Sequence, residues 1–186
     1  MIFVTVGTEL PFNRLVSVVD DWAREHRRTD VFAQIGNTPR RPSFIASADF
    51  LAPREFNEWF ARSTTIIAHA GMGTILSALR FEKPILVMPR RAALGEHRND
   101  HQLATVKRLV ELNKIHVALD EAELLHHLGR LQDLQARAST GAFASTALTS
   151  AVRGLIHRAA PLRPRPISSV VDAPADPSGP AVGRLA

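Results

Sequence analysis

Two short apolar runs, joined by a glycine turn and one helical stretch, set the architecture of this chain. Thr65-Ile66-Ile67-Ala68 is β-branched and too short for a helix, and Pro84 and Pro89 enclose a second run, Ile85-Leu86-Val87-Met88. Continuous apolar runs of this length read as strands buried on both faces, as in a parallel sheet. Between them lies His69-Ala70-Gly71-Met72-Gly73-Thr74, then Ile75, Leu76 and Leu79 at helical spacing. Strand, helix and parallel strand make a βαβ unit, which implies an open α/β sheet. A glycine-rich turn entering a helix also lets backbone N–H groups approach an anion at the positive helix end, and phosphate is the usual anion. A G-x-G turn serves tight strand–helix packing equally well, so the turn alone leaves both uses open. The loop after the second run carries Arg90, Arg91, Glu96, His97, Arg98, Asn99, Asp100, His101 and Gln102. Ligands of open α/β sheets sit outside the carboxyl ends of the strands, where both loops lie. A mixture of imidazole, carboxylate, amide and guanidinium suits a sugar diphosphate better than it suits simple solvation.

The rest of the chain repeats the alternation. Ile2–Val6 reads as a first strand, and Gly7-Thr8 follows it as a second point of close backbone approach. After Pro11, Leu15, Val16, Val19 and Trp22 mark an amphipathic helix. Val31–Gly36 reads as strand two and Ser43–Ala46 as a shorter strand three, with the basic loop Pro39–Pro42 between them. Asp49-Phe50-Leu51 leads through Pro53 into a helix carrying Phe56, Trp59 and Phe60. A helix is expected over Leu103–Leu112, and a sixth strand over Ile115–Leu119. Asp120 with Glu123 gives a capping-box-like start to a helix over about 121–138. His126 and His127 face different ways on that helix and make no metal pair. Thr146–His157 reads as a last helix, packed on its own sheet or covering a partner. From about 160 the character changes: six of the twelve prolines fall there among Ser, Ala and Gly, which predicts a disordered tail over 160–186 after a domain over 1–159.

Composition removes several classes. With no cysteine there is no disulfide, no thiolate nucleophile and no Cys-based zinc site. No stretch approaches the roughly 20 apolar residues that span a bilayer, and the first strand begins at once, without the basic segment of a signal peptide. The net charge of +5 comes mostly from arginine. Tyrosine is absent and no basic run interleaves with aromatics, so nucleic acid is not expected as a partner. Attraction to an anionic membrane surface, a nucleotide-sugar, or simple arginine usage remain as readings of the charge. G-x-G-x-x-G is not met and no acid stands at the ribose position of a nicotinamide fingerprint, which argues against a dehydrogenase.

His69-Ala-Gly-Met-Gly-Thr74, the strand ending at Pro89, and Glu96-His97 to His101-Gln102 resemble the C-terminal domain of family 28 glycosyltransferases, from Met1 to the region of Leu155. The likeness is to small stand-alone versions: the catalytic subunit of the eukaryotic two-part N-acetylglucosaminyltransferase, and bacterial counterparts in exopolysaccharide synthesis. Val4–Thr8 and Gly95–Gln102 point to the bacterial glucuronosyltransferase β-subunit type.

The resemblance implies a Rossmann-like parallel sheet of about six strands, equivalent to the donor half of a GT-B enzyme. It implies inverting transfer from a UDP-sugar, without a metal, to a lipid-linked acceptor held by a separate, membrane-anchored subunit. The chain would then work in the cytoplasm, at the inner face of the plasma membrane. By the same resemblance Gly7, Thr8, Gly71, Met72, Gly73 and Thr74 would hold the diphosphate, with His69 adding a proton or hydrogen bond. Phe50 and Leu51 would sit beside uracil, though both also fit a core. Glu96, His97, His101 and Gln102 would hold the sugar, and His69, Glu96 and His97 would be the catalytic residues. If the sugar is a uronic acid, Arg90, Arg91 and Arg98 are the candidates to meet its carboxylate. The base for the acceptor hydroxyl would be His97 or a residue of the other subunit. Ser77 stands where relatives often carry the acid that holds ribose. The competing class is a non-catalytic nucleotide-binding or scaffold subunit.

Overall fold

The computed structural model describes residues 1–111 and 115–136, all within one compact unit, Met1–Ala144. The helix expected at 146–157 and the tail from 160 lie outside the described residues. Six parallel strands form one sheet in the order β3-β2-β1-β4-β5-β6: β1 Ile2–Thr5, β2 Val31–Gln34, β3 Ala46–Ala48, β4 Thr65–His69, β5 Ile85–Met88 and β6 His116–Val117. The helices between them are α1 Asn13–Glu25, α2 Pro53–Arg62, α3 Met72–Arg80, α4 His101–Glu111 and α5 Glu121–Leu128. This is the Rossmann-like α/β arrangement expected from the alternating pattern.

Strand alternation divides the core between two layers. Ile2, Val4 and Val6 point to one face, where Leu15, Val16, Val19 and Trp22 of α1 and Leu124 and Leu128 of α5 close over them. Phe3, Ile66 and Ala68 point to the other, against Phe60, Ile75, Leu79 and Val106. Fully burying one such side chain is worth about 1.5–3 kcal/mol, so these layers supply the main driving force. On the second face Phe32 and Trp59 stack at 3.9 Å and 2° between planes, pinning α2 to β2.

Strand β3 begins three residues later than Ser43–Ala46 suggested, and the cause is Asp20. Its carboxylate, almost wholly buried on α1, accepts from the backbone N–H groups of Ser43, Phe44 and Ile45 and from the Ser43 hydroxyl at 2.8–2.9 Å. Those N–H groups are therefore unavailable to a ladder until Ala46. Burial pushes the Asp20 carboxyl up, but the four hydrogen bonds together outweigh it and hold the group below the ordinary carboxylate range. The folded pKa is depressed, so this stabilisation is present above the unfolded pKa and is lost as pH falls through the folded one. Replacing Asp20 with Asn is expected to cost about 2–3 kcal/mol at pH 7. It should also remove part of the acid-side decline in stability, measurable as urea midpoints from pH 7 to pH 3.

Other elements also end early, β1 at Thr5 rather than Val6 and β2 at Gln34 rather than Gly36. Helix α5 stops at Leu128 with Gly129 as its C-cap and gives way to a 3-10 turn, Leu131–Asp133, rather than running on to 138. At its start Asp120 accepts from the Glu123 N–H at 2.9 Å, and the Glu123 side chain returns to the Leu119 N–H at 2.7 Å. The reciprocal cap is thus displaced one residue outward from the standard pattern. The sixth strand is limited to His116–Val117.

The strand order places the functional region. The chain leaves β1 for β2 and β3 on one side, then crosses back to β4 on the other. The loops after β1 and β4 therefore diverge, and a crevice opens between them at the carboxyl edge, the ligand position of open α/β sheets.

Candidate functional site

A cavity of about 610 Å³ occupies that crevice. One wall is Val6–Leu10 after β1; the other is His69 and Gly71–Thr74 after β4. Gln34, Leu51, Phe56 and Ser77 also line it, and Arg90, His97, His101 and Gln102 complete it.

Helix α3 points its N-terminus into this space. Gly71 is the N-cap, no side chain caps the end, and no acid stands in the first turn. The first N–H groups of an α-helix have no intrahelical acceptor, so those of Met72, Gly73 and Thr74 face the cavity with the positive end of the helix dipole. Gly73 has nothing within 4 Å of where a Cβ would sit. It borders open space.

Gly71 and Gly7 behave differently. A Cβ on Gly71 would overlap Nε2 of His69, and one on Gly7 would lie 2.6 Å from His69 Cε1. Gly7 also has φ +79°, which other residues adopt only with strain. The two glycines form a slot for the His69 ring at the end of β4. Its Nδ1 is buried without a well-formed hydrogen bond.

Burial, reinforced by the nearby Arg90 charge, pushes the His69 imidazole down from 6.5 to about 4; the Thr5 backbone and Glu9 oppose this too weakly to offset it. His69 is therefore neutral at physiological pH. Because its folded pKa lies below the unfolded value of 6.5, its contribution is fully present above pH 6.5 and declines as pH falls towards about 4. The loss should reach about 3 kcal/mol. In an NMR titration the His69 Cε1–H signal should stay constant from pH 8 to pH 5; a midpoint near 6.5 would contradict the buried slot.

Arg90 binds the two loops together. It is 2% exposed and donates to the carbonyls of Val6 at 2.9 Å, Leu10 at 2.5 Å, Pro11 at 2.7 Å and Glu96 at 3.3 Å. Its guanidinium lies 4.7 Å from the Phe12 ring centroid. Gln102, 3% exposed, accepts the Arg90 N–H through Oε1 at 3.1 Å, so its amide NH₂ is the group it can offer a ligand.

Residues 1–153 match the family model of the glycosyltransferase family 28 C-terminal domain. The chain belongs to that family. Among solved structures, ALG13 is similar over 81% of this chain and 93% of its own length, at 19% identity and a TM-score of 0.52. MurG of Acinetobacter baumannii is similar over 83% of this chain and 49% of its own, at 18% identity and a TM-score of 0.56. A putative UDP-N-acetylglucosamine 2-epimerase from Listeria monocytogenes is similar over 83% of this chain and 45% of its own, at 11% identity and a TM-score of 0.54. At these identities the likeness is one of fold. No curated protein sequence matches the chain significantly.

In this family 28 domain the structure gathers most of the expected residues around the cavity: Gly7, Thr8, Leu51, His69, Gly71–Thr74, Ser77, His97, His101 and Gln102. Ser77 donates through its hydroxyl to the Gly73 carbonyl at 2.9 Å. Four expected residues, Phe50, Arg91, Glu96 and Arg98, are not among the lining. Phe50 is 51% exposed, while its neighbour Leu51, which does line the cavity, also packs against the core layer that contains Phe3 and Phe60. Arg91 donates to the Leu119 carbonyl at 2.6 Å. Glu96 is held by Arg14, whose Nε reaches Oε1 at 2.6 Å and NH2 reaches Oε2 at 2.8 Å, while Oε2 also accepts the Arg91 N–H at 2.9 Å. That bidentate, half-buried pair shapes the loop and leaves the carboxylate little capacity for a sugar. Arg90, with its NH1 and NH2 committed to carbonyls, is likewise a poor partner for a uronate, and Arg98 is exposed away from the lining.

Two polar lining residues escaped the sequence reading. Gln34 is 2% exposed; its Nε2 donates to the Gly7 carbonyl at 3.2 Å, and its buried Oε1 has no partner. The available signal was a polar residue inside an otherwise apolar strand run, Val31–Ile35. Glu9 follows Thr8 directly and lies 3.8 Å from His97 Nε2. Its signal was position alone, at the carboxyl end of β1.

Among the described residues no helix is long and apolar enough to cross a membrane.

Proposed function

We propose that this chain is the donor-binding, catalytic subunit of a two-component inverting glycosyltransferase. It moves a hexosyl unit (glucuronate, glucose, galactose or N-acetylglucosamine) from a UDP-sugar to a lipid-linked acceptor in exopolysaccharide or capsule synthesis. The observation that carries the reading is the uncapped N-terminus of α3 opening into a switch-point cavity of about 610 Å³. That volume is within the range of small-molecule sites, and the arrangement suits a diphosphate.

The acceptor hydroxyl attacks the anomeric carbon as the bond to the diphosphate breaks, and negative charge develops on the departing UDP. The N–H groups of Met72, Gly73 and Thr74 receive that charge, with the helix dipole behind them. Preorganised donors of this kind act without reorganisation and need no metal. Gln102 and His101 hold the sugar, and Leu51 and Ser77 lie on the nucleoside side.

Family membership supports the activity. The other component is a membrane-anchored acceptor-binding subunit, which would bring this chain to the inner face of the plasma membrane.

Calorimetric titration with UDP-glucose, UDP-N-acetylglucosamine and UDP-glucuronate, alone and with the co-expressed partner, tests the reading. Saturable binding with one sugar preferred by tenfold or more supports a donor site. Equal affinity for free UDP and all three sugars points instead to a non-catalytic nucleotide-binding subunit.

A further inference from the structure

Glu9 is the one carboxylate among the described residues that line the cavity. It stands on the wall after β1, with 83% of its side chain exposed, across the crevice from the N-terminus of α3. His97 lies beside it, at 3.8 Å between Oε2 and Nε2. The His97 side chain is half-buried at 15% exposure, its Nδ1 is buried without a partner, and its ring meets that of His101 edge-on at 4.5 Å.

The other basic groups near the site are engaged. Glu96 is held by Arg14 and the Arg91 N–H. His101 has Nδ1 on Asn99 Oδ1 at 2.5 Å. His69 is wedged between Gly7 and Gly71. A proton acceptor for an incoming hydroxyl must be free, at the open side of the cavity, and able to reach a group arriving from outside. Glu9 meets all three conditions.

We propose that Glu9 is the general base of the transfer and that His97 is the residue that positions it; the inference rests on the transferase reading above. In the step, the acceptor oxygen forms the bond to the anomeric carbon while the carbon–oxygen bond to the diphosphate breaks. The bonding pair leaves with the nucleoside diphosphate, whose charge falls on the α3 N–H groups. The hydroxyl proton passes to a Glu9 oxygen. Atoms and charge balance without a further reactant. The charge acceptor and the proton acceptor are carried by different walls, β4–α3 and β1–α1, and Arg90 fastens the β1 loop to the β5 loop that bears His97. The charged and titratable groups facing Glu9 are His97, His69 and Arg90, the last two sensing its charge.

The test uses the full chain reconstituted with membranes from its own source cells deleted for the endogenous copy. UDP release is followed from UDP-glucuronate, UDP-glucose and UDP-N-acetylglucosamine, with UDP affinity measured in parallel. Glu9→Gln is expected to lower kcat by about 10²–10⁴-fold, to leave donor KM and UDP Kd within about twofold, and to abolish the acid limb of the pH–rate profile. Glu9→Asp should recover part of kcat with that limb restored. His97→Ala should lower kcat by less than Glu9→Gln with donor KM unchanged, and His97→Gln should recover part of the loss. Full activity in Glu9→Gln, or a UDP affinity that falls as far as kcat does, would overturn the proposal. A wild-type chain that binds UDP and turns over donor while Glu9→Gln does the same refutes the base alone. A wild-type chain that binds no UDP species refutes the transferase reading and the base with it.

Discussion

Gly73→Ala should weaken UDP binding by at least about 10- to 100-fold, from the loss of one or more charge-assisted hydrogen bonds, while leaving the fold intact. A Cβ at this position meets no protein atom within 4 Å and enters the space in front of the α3 N–H groups. The helix itself gains, because alanine is favoured over glycine in a helix by up to about 0.5–1 kcal/mol. Affinity and stability should therefore move in opposite directions. Gly71→Ala makes the contrast: its Cβ would overlap the His69 ring, so the ring must leave its slot, and overpacking of this kind costs about 1–3 kcal/mol. Calorimetry with UDP and urea unfolding on the two variants separate a ligand-facing glycine from a packing glycine. A Gly73→Ala protein that binds UDP as well as wild type would remove the diphosphate from this helix end.

Arg90→Met should be the most destabilising single change near the site, by about 3–5 kcal/mol. Methionine fills much of the volume and still covers Phe12. It leaves the carbonyls of Val6, Leu10, Pro11 and Glu96 without this donor, the Val6 bond fully buried and the other three partly so. Arg90→Lys keeps the charge but has three donors on one atom rather than a planar fork, so an intermediate loss of about 1–2 kcal/mol is expected. Urea midpoints at an unchanged slope read this out directly. A loss below about 1 kcal/mol in Arg90→Met would mean that the loops after β1 and β5 are held by other contacts.

The fold was legible because its signals are local. The runs Ile66-Ile67-Ala68 and Ile85–Met88, with the glycine turn between them, specify strand, helix and strand within one short stretch, and the helix N-terminus follows from Gly71 and Gly73. What the sequence concealed is carried by contacts between distant residues. Glu96 reads as a sugar ligand until Arg14, 82 residues away, closes on it. Nothing in the sequence marks Asp20, beside Asp21 on α1, yet it fixes where β3 starts by binding Ser43–Ile45. Arg90 looks like one cation in a polar loop, and only the fold shows its four carbonyl partners. Gln34 and Glu9 reach the cavity because β2 and β1 are neighbours in register, with Thr5 opposite Gln34. No motif spacing encodes that adjacency.

The measurement closest to the central claim is a ¹⁵N amide titration of the full chain with UDP. A diphosphate seated on the end of α3 predicts the largest shifts at Met72, Gly73 and Thr74, with a second set at Gly7 and Thr8 and little change on the far side of the sheet around Trp22 and Leu128. Shifts confined to other parts of the molecule, or none at millimolar UDP with and without the partner subunit, would contradict the assignment of this cavity to a nucleotide-sugar.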